Sequence, residues 1–308
     1  MIQTHVVNIL HCLANYKLDP DVSYEQLIKL TPFSIPCSTT KHGTHYHFVP
    51  STGRPDQNRP KLVFLHALGG NSFNWLNLVP FFSDYEVYLL DLPSHGRSYN
   101  LTEAADFTEA YVTWLAQAMA DLDIAQPHLI GLSTGARIAA EYALVGHSVS
   151  SLTLLGPALS PNVGLLYRSV YSLIRGPERQ FFRNVGYKVL LQFIHNHDKY
   201  CRFALTIAFR DMIRDQAPRD YLGIRQTMQW LLEPHEIAVA DWKGLVSKIP
   251  VTAVFGQQDV YCPSDLHTYL SDAGVNGIHV LNCSHLLPLD DPESTAAAIL
   301  ATINKNSG

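Results

Sequence analysis

From Lys61 onward the chain alternates short apolar runs with longer stretches whose apolar residues recur at helical spacing. Lys61–His66, Glu86–Asp91, Pro127–Leu132 and Ser151–Gly156 are brief and rich in Leu, Val and Ile, the pattern of strands buried on both faces. Between them, Ser72–Phe82, Ala105–Leu122 and Thr134–Gly146 predict helices. In the second of these, Tyr111, Leu115, Ala118 and Leu122 share one face. Upstream, Ser34–Thr40 and Thr44–Val49 flank Lys41-His-Gly43, which predicts an antiparallel hairpin, and the polar, Pro-rich stretch 50–60 is a connection. The alternation stops at Pro157. It resumes with a strand at Pro250–Gly256, a helix at Ser264–Ala273, a strand at Gly277–Leu281 and a final helix at Pro292–Asn304. Strands alternating with helices predict an α/β fold, a mostly parallel sheet covered on both faces.

The pattern divides the chain into three parts. Residues 1–33 read as an N-terminal helical extension, 34–156 and 250–308 as the α/β core, and 157–249 as a helical cap inserted after the sixth strand. Charge sets the cap apart: it carries 13 Lys/Arg against 8 Asp/Glu, and the remainder 9 against 19. A net charge of −5 over 308 residues gives no reason to expect nucleic acid. No window approaches ~18 uninterrupted apolar residues, so no membrane span is expected. The first residues lack a basic start and read poorly as a signal peptide. Cys12, Cys37, Cys201, Cys262 and Cys283 are scattered and odd in number. That fits free thiols in a reducing, cytoplasmic setting better than a disulfide framework or a zinc site.

The chemistry centres on Gly131-Leu-Ser-Thr-Gly135, where an apolar strand meets a helix-forming stretch. Gly-x-Ser-x-Gly in that setting places a serine hydroxyl on a tight strand-to-helix turn, which makes Ser133 the candidate nucleophile. A serine needs a base, and the base needs an orienting carboxylate. In parallel α/β sheets functional groups gather just beyond the carboxyl ends of strands. Asp259 follows the strand ending at Gly256, and His285 follows the strand ending at Leu281. The order Ser133, Asp259, His285 is the one this arrangement requires. Taken singly each residue has a plainer explanation, since 15 histidines are present and an aspartate after a strand is commonly a turn former or cap. Asp241 and Asp265 are weaker carboxylates because neither directly follows a strand.

Acyl chemistry also needs backbone N–H groups facing the developing oxyanion. The loop His66-Ala-Leu-Gly-Gly70 and the residue after Ser133 are placed to supply them; a phosphate-binding role fails because neither Gly-x-Gly-x-x-Gly nor Gly-Lys-Ser/Thr is present. Asp91-Leu-Pro-Ser-His-Gly-Arg-Ser98 reads as scaffold, with Arg97 pairing Asp91. His95 is a minor candidate for a second base and lacks the companions a metal ligand needs.

Together these landmarks resemble the α/β-hydrolase superfamily across roughly residues 34–304. The resemblance implies an eight-stranded sheet, mostly parallel, with its first two strands antiparallel and a cap after strand six. It implies Ser133 as nucleophile, His285 as base, Asp259 as orienting acid, and the Leu68 and Thr134 N–H groups as oxyanion hole, with no cofactor and no metal. Two positions depart from the usual pattern: Ala67, which must avoid positive φ, and Ala136. The implied activity is cleavage of a carboxylic ester or thioester through an acyl-enzyme, on a small or amphiphilic substrate. One alternative is a C–C hydrolase or lyase of the menaquinone-pathway type, whose Gly-x-Ser-x-Gly-x-Arg run Arg137 echoes. The plainer role for Arg137 is a surface ion pair with Glu141. Another alternative is a ligand sensor with little turnover. His66, Arg137, Tyr167, Tyr171 and Trp230 are candidate substrate contacts, with Phe181, Phe182 and Phe193 as further aromatic lining.

Overall fold

The computed structural model describes residues 36–52, 59–101, 104–159, 218–232, 237–259, 261–262, 265–275 and 277–305. The N-terminal extension, most of the expected cap and the candidates Tyr167, Tyr171, Phe181, Phe182 and Phe193 lie outside them. The eight strands are β1 (Cys37–Thr39), β2 (His45–Val49), β3 (Lys61–Leu65), β4 (Glu86–Leu90), β5 (His128–Leu132), β6 (Ser151–Leu155), β7 (Val251–Gly256) and β8 (Gly277–Leu281). They form one sheet in the order β1-β2-β4-β3-β5-β6-β7-β8. β2 runs against both of its neighbours, and every pairing from β4 to β8 is parallel. β5, β6 and β7 are buried along their whole length, as their unbroken apolar runs require.

The helices are α1 (Phe107–Asp121), α2 (Thr134–Leu144), α3 (Pro218–Leu232), α4 (Val239–Val246), α5 (Asp265–Asp272), α6 (Leu287–Asp290) and α7 (Pro292–Asn304). α1 starts where Asp106 accepts hydrogen bonds from the N–H groups of Thr108 and Glu109. α7 starts on Asp291, with Pro292 supplying a first-turn φ that needs no donor. The sheet separates two apolar layers. One gathers Tyr111, Trp114, Ile138, Trp230, Trp242, Phe255 and Leu270; the other gathers Phe64, Trp75, Phe82, Leu155, Val254, Ile299 and Ile303.

One sequence expectation changes. Ser72–Phe82 is not one α-helix but two 3₁₀ turns, Ser72–Trp75 and Val79–Phe82. Asn71 explains the first: its side chain accepts from Phe73 N–H while Asn74 reaches back to the Asn71 N–H, which closes a single tight turn. Trp242 of α4 is fully buried and belongs to the same apolar layer as Tyr142, Val251, Phe255 and Leu270.

Candidate active site

Leu132 ends a fully buried strand, and the chain must reverse into α2 within one residue. Ser133 makes that turn at φ 52°, ψ −108°, one of three non-glycine residues with positive φ among the described residues. A serine at a helix start normally turns its hydroxyl onto the first N–H groups; here it makes no such bond. The hydroxyl is therefore left for other chemistry, and the backbone strain is of the kind that functional turns hold. Close packing keeps the turn in place. A Cβ on Gly135 would fall 2.0 Å from the Leu65 carbonyl oxygen, and one on Gly131 2.4 Å from the Ala136 nitrogen. Ser133 N–H donates to the Leu155 carbonyl at 2.8 Å, and the Ser133 carbonyl accepts from Ala158 N–H at 3.2 Å. The elbow is thus tied to the end of β6.

The same strand end brings in the other two candidates. Gly156 adopts φ +46°, and a Cβ there would stand 3.0 Å from His285 Nδ1 and 3.2 Å from Asp259 Oδ2. His285 Nδ1 and Asp259 Oδ2 are 2.7 Å apart, and Oδ1 of the same carboxylate accepts from the N–H groups of Tyr261 and Cys262 at 2.8 and 3.1 Å. Burial alone would raise the Asp259 carboxyl, but His285 and these hydrogen bonds hold it below its ordinary value, so it is ionised at neutral pH. An ionised acceptor fixes the proton on Nδ1 and leaves Nε2 as the basic nitrogen. The Tyr261 ring packs 4.9 Å from the imidazole. Asp259, rather than Asp241 or Asp265, is the carboxylate on the histidine.

The loop after β3 lies against the elbow. Leu68 N–H donates to Thr134 Oγ1 at 3.2 Å, so the two expected oxyanion donors belong to adjoining residues. Ala67 has no positive φ, as its side chain requires. His66 is fully buried, its Nε2 accepts from Leu92 N–H at 2.9 Å and its Nδ1 lies 2.7 Å from the Ala67 carbonyl. Burial, with His95 beside it, holds His66 well below the usual imidazole pKa, so the ring is a neutral strut between two loops. His95 is buried too, its Nδ1 2.8 Å from the Pro93 carbonyl, and burial lowers it to about 4. Asp91 anchors the second loop by accepting from Ser72 N–H at 2.8 Å and Arg97 N–H at 3.0 Å. Arg97 thus reaches Asp91 with its backbone.

Arg137 and Trp230 meet one another. Arg137 is buried, not on the surface; its guanidinium lies 3.9 Å over the Trp230 ring, and Nη1 donates to the Trp230 carbonyl at 3.2 Å. Trp230 is buried in the core layer, with Nε1 donating to Thr108 Oγ1 at 2.9 Å and its ring 5.1 Å from Tyr111. Thr227, on the same helix, hydrogen-bonds the Tyr111 hydroxyl. These contacts dock α3 onto α1 and α2. Together they join α3 to the elbow helix.

A profile of the alpha/beta hydrolase family matches residues 62–298, most of the chain and every landmark just described. The chain belongs to the alpha/beta hydrolase family. This hydrolase is 40% identical over 97 residues to 2-succinyl-6-hydroxy-2,4-cyclohexadiene-1-carboxylate synthase of Pectobacterium atrosepticum, a match covering 32% of the chain and 38% of that relative. It is 38% identical over 103 residues to the pimeloyl-(acyl-carrier protein) methyl ester esterase of Aeromonas hydrophila, covering 33% and 39%. The aligned part therefore spans well under half the length of these relatives. Among solved structures, the enol-lactonase of Burkholderia xenovorans LB400 superposes with a TM-score of 0.68 at 18% identity, over 87% of this chain and 100% of that one. Carboxylesterase CesB of Bacillus subtilis gives 0.64 at 18% identity, over 97% and 98%. At such identities the agreement is one of fold. No helix among the described residues is long and apolar enough to cross a membrane.

Sequence reasoning missed three groups around the dyad: Gly156, Tyr261 and Cys262. Gly156 had a legible signal, a small residue at a strand end facing the site. Tyr261 and Cys262 had only their nearness to Asp259 in sequence.

Proposed function

We propose that this hydrolase cleaves a carboxylic ester or thioester through an acyl-enzyme on Ser133. The observation that carries the reading is the 2.7 Å His285–Asp259 contact beside a strained serine whose hydroxyl caps nothing. In this mechanism Ser133 Oγ attacks the carbonyl carbon as its proton passes to His285 Nε2. The N–H groups of Leu68 and Thr134 receive the oxyanion, for which the Leu68 N–H turns from the Thr134 hydroxyl to the substrate oxygen. His285 then protonates the leaving alcohol or thiol, and water, deprotonated by the same nitrogen, releases the acid. The basic stretch 157–249 forms the cap and favours an anionic or amphiphilic acyl group; the cytoplasm is the proposed location. The similarity to a methyl ester esterase supports the reading.

A second reading, C–C bond hydrolysis or elimination on the same residues, draws on the similarity to the cyclohexadiene carboxylate synthase. The two separate in one assay series. A fluorophosphonate probe is expected to label wild-type protein and not Ser133→Ala, and p-nitrophenyl esters of increasing chain length are expected to turn over only with Ser133 present. Labelling without hydrolysis of any ester or thioester favours the second reading, and undiminished turnover by Ser133→Ala refutes both.

A further inference from the structure

Cys262 stands at the back of the His–Asp pair, and its part there is unassigned. Ligand atoms of Asp259, Cys262 and His285 all lie within 4.8 Å of one another. They are a carboxylate oxygen, a thiol sulfur and an imidazole nitrogen, the donor types that zinc and its heavier congener cadmium select. We propose that these three side chains form an inhibitory site for a thiophilic divalent cation, with Zn²⁺ as the physiological candidate. The inhibition rests on the serine-hydrolase reading, whereas the binding does not.

The geometry requires little movement. Four-coordinate zinc with bonds of about 2.0–2.3 Å sets its donors roughly 3.3–3.8 Å apart. The 2.7 Å His285–Asp259 separation opens slightly and the sulfur turns inward. The Cys262 thiol makes a long contact, 3.7 Å to the Pro157 carbonyl, and hydrogen-bonds Asp259, the residue with which it would share the ion. Asp259 keeps its Oδ1 bonds to Tyr261 and Cys262 N–H while Oδ2 turns to the metal. The proton accounting closes. The Cys262 thiol gives up its proton to solvent on becoming a thiolate. The proton on His285 Nδ1 moves to Nε2, which frees Nδ1 for the metal. Asp259 is already ionised. One proton is released per ion bound, and water takes the fourth position. The consequence is chemical rather than steric: Nε2 now carries a proton and cannot accept the one on Ser133.

The test uses the full-length protein. Zn²⁺ is titrated against p-nitrophenyl ester turnover and fluorophosphonate labelling, with Mg²⁺ as a hard-cation control and a chelator to reverse the effect. Separately, Cd²⁺ is titrated while the thiolate-to-metal charge-transfer band is followed in the ultraviolet. Wild-type protein is expected to lose turnover reversibly with Zn²⁺ and to hold its activity with Mg²⁺. Loss of one ligand should weaken binding at least as much as loss of an outer partner does. Cys262→Ala, or Cys262→Val to preserve volume, should therefore raise the half-inhibitory Zn²⁺ concentration by about tenfold or more, each variant referred to its own metal-free rate. The same variants, and His285→Ala, should lose the stoichiometric Cd²⁺ band, while Cys37→Ala keeps it. Equal Zn²⁺ sensitivity of the wild-type and Cys262 proteins, or an unchanged Cd²⁺ band, overturns the proposal. A protein that binds Cd²⁺ through Cys262 but shows neither turnover nor labelling retains the metal site and loses the hydrolase reading.

Discussion

Replacing Gly156 with alanine tests the site from its least conspicuous member. The new methyl would stand 3.0 Å from His285 Nδ1, 3.1 Å from its Cε1 and 3.2 Å from Asp259 Oδ2. Ordinary carbon-to-nitrogen contact is about 3.5 Å, so the imidazole must withdraw by roughly 0.5 Å. Misplacing a reacting group by about 1 Å costs on the order of a hundredfold in rate, which puts this shift near tenfold in kcat. The backbone, at φ +46°, adds strain of about 1–2 kcal/mol for any residue with a Cβ. Gly146→Ala supplies the control. Its φ is +98° and nothing lies within 4 Å of the added carbon, so it carries the strain without the collision. Both variants should melt a few degrees below wild type by circular dichroism, at about 2–4 °C per kcal/mol. Only Gly156→Ala should lose about tenfold in kcat on a p-nitrophenyl ester, with rates normalised to fluorophosphonate-titrated sites. A Gly156→Ala enzyme within about twofold of wild type, or a Gly146→Ala enzyme equally impaired, would refute the reasoning.

Three further outcomes follow from the same contacts. His66→Ala strands the Leu92 N–H and Ala67 carbonyl, each costing about 1–3 kcal/mol when buried and unpaired, so chemical denaturation should show a loss of several kcal/mol. Trp230→Ala removes a buried indole that stacks on Arg137 and Tyr111; a loss of about 3–5 kcal/mol is expected, together with faster proteolysis of the chain around α3. Stability should also fall on acidification. His95 is lowered to about 4 when folded and titrates near 6.5 when unfolded, so the unfolded chain takes up the proton first as pH drops. From pH 8 to pH 5 this one residue costs about 2 kcal/mol, with His45, His66 and His128 acting in the same direction and Asp91, whose pKa burial raises, acting against them. Urea midpoints measured between pH 8 and pH 5 check this; a midpoint that holds steady contradicts it.

The strands and most helices were legible because burial on both faces leaves a mostly apolar run, as in Val251–Gly256, and a cap leaves a mark, as at Asp291-Pro292. Ser72–Phe82 misled for a local reason. Its apolar spacing is helical, but two side-chain amides, Asn71 and Asn74, close the first turn on itself. The contact between Asp259 and His285 was legible because both follow strand ends, and the turn at Ser133 because a strand runs straight into a helix there. The burial of His66 and Arg137 was not legible because a polar side chain near a motif looks the same in sequence whether it faces a substrate or braces a loop. Only the partners decide: Leu92 N–H and the Ala67 carbonyl for one, the Trp230 ring and carbonyl for the other.

Arg137 also bears on how α3 is tied to the turn at Ser133. Ser133 and Arg137 are one helical turn apart, and Arg137 N–H donates to the Ser133 carbonyl at 3.1 Å. The side chain of the same residue is clamped on α3, where a desolvated cation over an indole contributes about 2 kcal/mol or more. A substrate carboxylate seeking Arg137 would have to displace that contact and the hydrogen bond to the Trp230 carbonyl, so the net gain from binding there is small. The Gly-x-Ser-x-Gly-x-Arg run, read as a substrate-binding signature, thus has a structural use in this chain. A displacement of α3 would pull on the first turn of α2, whose other end is the strained elbow. The contact between Arg137 and Trp230 therefore joins α3 to the helix that begins at Ser133.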